Sequence, residues 1–160
     1  MGKVFLIALL SLACVSCWPR SREAKKLETD LFAMPTGSLA RFVDLVPDGR
    51  QMVCMMSPYQ HQLAFEHPLI TQVNEDFAEK GFSLDEGHFA FVLIGADNFE
   101  VLEFRRSQEL NVLDISQVSA LPEQPLPGGL VARECANWTD ALVAKVELGG
   151  RTFVRLGQMP

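Results

Sequence analysis

His67-Pro68-Leu69-Ile70-Thr71-Gln72-Val73-Asn74-Glu75-Asp76-Phe77-Ala78-Glu79-Lys80-Gly81 is the stretch on which the fold turns. Pro68 suits a first helical turn, where its missing N–H has no intrahelical partner to lose, and Gly81 suits the position just past the last turn. Leu69, Ile70, Val73 and Phe77 recur at spacings that share one face, while Glu75, Asp76, Glu79 and Lys80 point the other way. The spacing predicts one amphipathic helix that must bury its apolar stripe against another element.

The flanking segments supply that element. Gln51-Met52-Val53-Cys54-Met55-Met56 is an apolar run between the turn signal Pro47-Asp48-Gly49 and Ser57-Pro58-Tyr59, and it reads as a buried strand. Phe89–Gly95 and Phe99–Arg106 pair across Ala96-Asp97-Asn98. Ala141–Leu148 and Arg151–Leu156 form a second hairpin across Gly149-Gly150, the strongest turn signal in the chain. Leu110–Leu121 is ambiguous between strand and helix, and Pro122–Gly129, with three prolines and two glycines, reads as a loop. The expected fold class is α+β: a mostly antiparallel sheet built from hairpins, with one principal helix packed on it.

Composition narrows the function classes. The chain has 160 residues, 48% of them hydrophobic, which is room for one domain with a modest core. A formal charge of −6 argues against a general nucleic-acid binder, which carries a basic footprint. Four cysteines are too few for a disulfide-dense miniprotein.

At the N-terminus, Lys3 precedes a run from Val4 to Val15 that is apolar except for Ser11. About a dozen residues are too few to span a bilayer, which takes roughly 20, but they fit the core of a secretory signal. The end of the run, Leu10-Ser11-Leu12-Ala13-Cys14-Val15-Ser16-Cys17, resembles the lipobox of bacterial lipoproteins. That resemblance covers only the first eighteen residues. It implies cleavage before a cysteine that is then acylated, with Cys17 preferred and Cys14 the alternative. Residues 1–16 are then a signal peptide, 17–38 a lipid-anchored polar tether rich in Arg20, Arg22, Lys25 and Lys26, and 39–160 a single α+β domain.

Cysteine arithmetic favours Cys17. Acylation there discards Cys14 and leaves Cys54 and Cys135 to pair, whereas the alternatives strand one thiol. An exported, oxidising setting supports a Cys54–Cys135 disulfide. After processing, thirteen basic and twenty acidic side chains remain, a charge of −7.

Few residues suggest catalysis. His61, His67 and His88 lie near Glu66, Asp85 and Glu86, and imidazole with carboxylate suits a first-row metal, but no His-Glu-x-x-His spacing exists. They are weak candidates, and no metal or other cofactor is expected. A nucleophile elbow, a Walker loop and a dinucleotide-binding turn are all missing from the sequence. Asn137-Trp138-Thr139 matches a glycosylation acceptor pattern that has no meaning for a bacterial lipoprotein. Trp138 has two readings, as core beside the disulfide or as an exposed anchor for a partner.

Charge is the most uneven feature. Between Glu66 and Glu103 nine acids stand against the single base Lys80. An acidic surface steers basic partners and rejects acidic ones. The sequence therefore leads to a non-enzymatic, lipid-anchored protein of the cell envelope, facing the periplasm or sitting on the outer membrane. Its expected role is to bind a protein, with a basic one favoured, through Glu75, Asp76, Glu79, Asp85, Glu86 and Trp138. Immunity proteins and accessories of envelope complexes have this profile. The rival readings are a metal-assisted envelope hydrolase using the histidines and a carrier for a small ligand.

Overall fold

The computed structural model describes residues 21–47, 49–114 and 126–160. Its elements run α1 (Arg22–Ala33), β1 (Leu39–Arg41), α2 (Phe42–Leu45), β2 (Met52–Met56), α3 (Pro68–Lys80), β3 (His88–Ile94) and β4 (Phe99–Arg105). Then follow β5 (Asn111–Val112), a 3-10 turn at Pro127–Gly129, β6 (Val131–Ala132), β7 (Cys135–Asn137), β8 (Leu142–Leu148) and β9 (Arg151–Gln158). The class is α+β, with antiparallel pairing throughout except where the two residues of β5 run parallel to β9. The signal segment, Cys14, Cys17 and residues 115–125 of the ambiguous and proline-rich stretches lie outside the described residues.

The strands divide into two sheets. One has the order β4-β3-β2-β7; the other has β1-β8-β9-β5, with β6 pairing farther along β9. Every residue of β2 is buried, because both of its faces are covered. Val53 and Met55 face the space between the sheets with Phe89, Phe91 and Leu93 of β3. Met52, Cys54 and Met56 face α3, meeting Ile70, Val73 and Phe77. Alternation along a strand sends successive side chains to opposite faces, so a strand sandwiched between two layers must be apolar throughout.

The predicted helix is α3, with ends set by the expected residues. The His67 ring accepts the Leu69 N–H at 3.3 Å, and Gly81 takes the left-handed conformation at φ 61° that terminates it. Phe77 stacks on Phe82 and meets Phe99 edge-on at 5.5 Å between centroids. The second hairpin turns at Gly149 and Gly150, both at positive φ, the geometry that a two-residue turn needs to match strand twist. Cys54 and Cys135 sit opposite one another on β2 and β7 and are joined by a disulfide, their Cα atoms 4.0 Å apart.

The described part of the expected tether departs from expectation. Residues 22–33 form a regular helix that belongs to the domain rather than a polar tether outside it, and α1 buries Ala24, Leu27 and Leu31 in the core between the sheets. These three fall at helical spacing among charged residues, and Ser21 caps the first turn by accepting the Ala24 N–H at 3.1 Å. At the other end, Lys145 points inward from β8, 6% exposed, and donates to the carbonyls of Leu31, Phe32 and Met34 at 2.8–2.9 Å. A buried ammonium thus satisfies carbonyls that the end of a helix leaves without partners, where the helix dipole also favours a cation. Burial pushes the Lys145 pKa below the ordinary lysine value.

The outer face of the second sheet has its own apolar cluster, in which Leu113, Leu126 and Leu130 pack with Ala144. Arg155 is buried in β9 and donates to the carbonyls of Leu113 and Arg133 at 3.1 and 2.8 Å. It ties together two segments that are distant in sequence.

Candidate functional site

Antiparallel pairing brings several chain ends together at one end of the first sheet. β2 finishes there at Met56, β3 begins at His88 and β4 finishes at Arg105. The start of α3 lies toward this end too, because its C-terminal half packs on Phe99, at the opposite end of β4. The connections that meet here are Ser57–His67, Leu84–Gly87 and the residues after Arg105. His61, Glu66, His67, Asp85 and Glu86, singled out from the sequence, fall in these connections.

Their arrangement is held by backbone and side-chain hydrogen bonds. The Tyr59 N–H donates to the Leu84 carbonyl at 2.9 Å, and the Leu84 N–H donates to the Gln60 carbonyl at 3.1 Å. The Asn74 side chain, projecting from α3, accepts the Leu63 N–H at 2.8 Å and donates to its carbonyl at 2.9 Å. Leu63 itself is buried against α3. The 57–67 connection is therefore pinned at both Tyr59 and Leu63, although it has no regular structure.

Two large aromatics project from this pinned segment: Tyr59 is 66% exposed and Phe65 is 42% exposed. Tyr59 adopts φ 64°, left-handed backbone that a non-glycine residue enters at a cost. Its pKa is raised, by desolvation first and then by a hydrogen bond to Glu86 and the charge of that carboxylate. Arg106 donates from Nη1 to the Glu86 carbonyl at 2.9 Å and from Nε to Asn111 Oδ1 at 2.6 Å. Asp85 Oδ1 is 2.7 Å from His88 Nδ1 and accepts the Gly87 N–H, also at 2.7 Å. These two contacts, the His88 one first, hold the Asp85 carboxyl below the ordinary aspartate range.

The structure separates the acidic residues that the sequence grouped together. Glu75 and Glu79 are exposed on the outer face of α3, one turn apart. Asp76 is bound by Lys80 at 2.7 Å, and Lys80 lies 6.0 Å from the centre of the Phe99 ring, so the last turn of α3 stands at the far end of the sheet. Asp85 and Glu86 stand at the near end, beside His88 and Tyr59. The acidic surface thus has a helical part and a loop part.

Trp138 belongs to the core. It is 5% exposed and meets Phe42 edge-on at 5.2 Å, in the apolar cluster between the sheets, so it offers nothing to a partner. Asn137 and Ala141 are backbone-bonded around it, turning the chain from β7 into β8 and carrying the indole inward.

The three histidines divide their roles. His67 caps α3, His88 pairs with Asp85, and His61 is exposed in the 57–67 connection. Among the described residues, no group of three histidine, cysteine, aspartate or glutamate side chains is placed to hold a metal ion. Sequence reasoning missed Tyr59 and Phe65.

The chain matches no protein-family model, no curated protein and no solved structure. Functional inference therefore rests on the chemistry of its own surface.

Proposed function

We propose that this protein is a small lipid-anchored module of the cell envelope that acts without catalysis, by binding another protein through its acidic surface. The observation that supports it most is the outer face of α3. Glu75 and Glu79 are displayed to solvent on a helix whose opposite face is fully sunk against the first sheet. Such a rigid, charged face gains association rate and selectivity toward basic partners. Among the described residues, no helix is long and apolar enough to cross a membrane. On this reading the link to the bilayer is the acyl group on Cys17, four residues before the Ser21 cap of α1. Acylation holds a protein at a membrane without a spanning segment.

Affinity isolation from membranes tests the reading. The wild-type chain recovers one specific partner, and the double charge reversal Glu75→Lys plus Glu79→Lys abolishes its recovery. Recovery undiminished by the reversal refutes binding through this face. Labelling with palmitate tests the anchor separately: incorporation is lost in Cys17→Ser and retained in Cys14→Ser. Incorporation that follows Cys14 instead moves the anchor to that residue.

A further inference from the structure

We infer that the partner is held chiefly at the near end of the first sheet, where Tyr59 and Phe65, two exposed rings of one connection, take an arginine- or lysine-bearing segment of a protein. This rests on the protein-binding reading above and goes beyond it in naming the anchors and the chemistry they take.

Among the described residues the exposed large aromatics are Phe32, Tyr59 and Phe65, and two of these three fall within seven residues of one another. Aromatic side chains give large contact areas for little lost rotamer freedom, which is why they dominate binding hot spots. A hot spot also needs its backbone held in place before binding, and here Tyr59 is fixed by Leu84 and the Phe65 segment by Asn74. The segment needs no further ordering when a partner arrives.

Charge selects the occupant. Glu66 follows Phe65 directly, and the Tyr59 N–H bond to the Leu84 carbonyl brings the loop that carries Asp85 and Glu86 against the tyrosine. All three acids are exposed. An aromatic face with a carboxylate at its rim is matched by a guanidinium or ammonium, which stacks on the ring and pairs with the carboxylate. Against these three carboxylates stand Arg105, opposite His88 at the end of β4, and Arg106, which donates to the Glu86 carbonyl, so this end keeps an excess of one negative charge. An acidic segment would add to that negative excess, and a purely apolar one would take exposed carboxylates out of water without bringing them a cation.

The test uses the full chain, purified in detergent, and a twelve-residue peptide of alternating arginine and alanine as probe. Binding is read by anisotropy and the footprint by amide exchange. The expected footprint is protection of residues 57–66 and 84–88. Tyr59→Gly and Phe65→Ala, which leave the charge unchanged, are each expected to weaken binding about tenfold or more. Tyr59→Gly suits the left-handed backbone at this position, and a urea midpoint equal to wild type shows that lost binding is not unfolding. Equal affinity for wild type and both variants overturns the inference. Protection confined to residues 71–79 overturns it too, while leaving the helical acidic face as the binding surface. No protection anywhere at low salt removes both.

Discussion

Replacing Lys145 by Met tests whether α1 is an integral part of the domain. Met keeps the length and apolar stem of the side chain but removes the ammonium that donates to the carbonyls of Leu31, Phe32 and Met34. Hydrogen bonds to a charged donor are worth about 1.5–3 kcal/mol each, so three at the lower end amount to roughly 4.5 kcal/mol. Taking the ammonium out of water costs part of this, and its removal returns about 1–2 kcal/mol. The expected net loss is about 3 kcal/mol. With a urea m-value of about 2 kcal/mol/M for a domain of this size, the midpoint should fall by about 1.5 M with m unchanged. Amide exchange locates the effect, because α1 should lose protection first while β2 and β3 keep theirs. A loss below about 1 kcal/mol, or α1 protection equal to wild type, would falsify the reasoning. Either result would mean that Leu27 and Leu31 alone hold the helix.

Four further outcomes follow from the packing. Converting both Cys54 and Cys135 to alanine should cost roughly 4–5 kcal/mol by the loop-closure model for a separation of 81 residues, read as a lowered urea midpoint that reductant no longer affects. Gly157→Ala places a Cβ on the Val131 carbonyl oxygen and 2.8 Å from Leu130 Cγ, so calorimetry should show a loss of about 1–3 kcal/mol; unchanged stability would mean that the β6–β9 contact is looser than it stands here. Trp138→Ala should cost about 3–5 kcal/mol in denaturation while leaving partner affinity per folded molecule intact, which separates core from contact. The Asp85 carboxyl is lower in the folded than in the unfolded chain, so its contribution is complete above the ordinary aspartate value and lost as pH falls through the lowered one. In an NMR titration, His88→Ala should move Asp85 up toward the ordinary value, and no movement would show that the Gly87 N–H alone sets it.

Much of the fold was legible because its signals are local. Pro68 and Gly81 bound α3 by their own backbone constraints, and Gly149-Gly150 supplies the two positive φ values of the second hairpin. The pairing of Cys54 with Cys135 followed from counting thiols once a signal segment was assumed. Tyr59 and Phe65 were not legible as a site, because exposure belongs to the assembled surface. Leu63, two residues from Phe65, is buried, and no local pattern distinguishes the two.

The sequence by itself determined the class, the boundaries of α3 and the hairpins, and the identity of the staple. These depend on dihedral preferences and on periodicities that neighbouring residues carry. Only the tertiary structure decided that the strands form two sheets, that α1 closes the core between them, and that Trp138 lies inside. It also decided that Lys145, in the middle of β8, reaches back to residues more than a hundred positions earlier. The physical reason is common to all four. Which apolar face covers which, and which buried donor meets which orphan carbonyl, depends on contacts between segments far apart in the chain, and the composition of either segment alone is compatible with several partners.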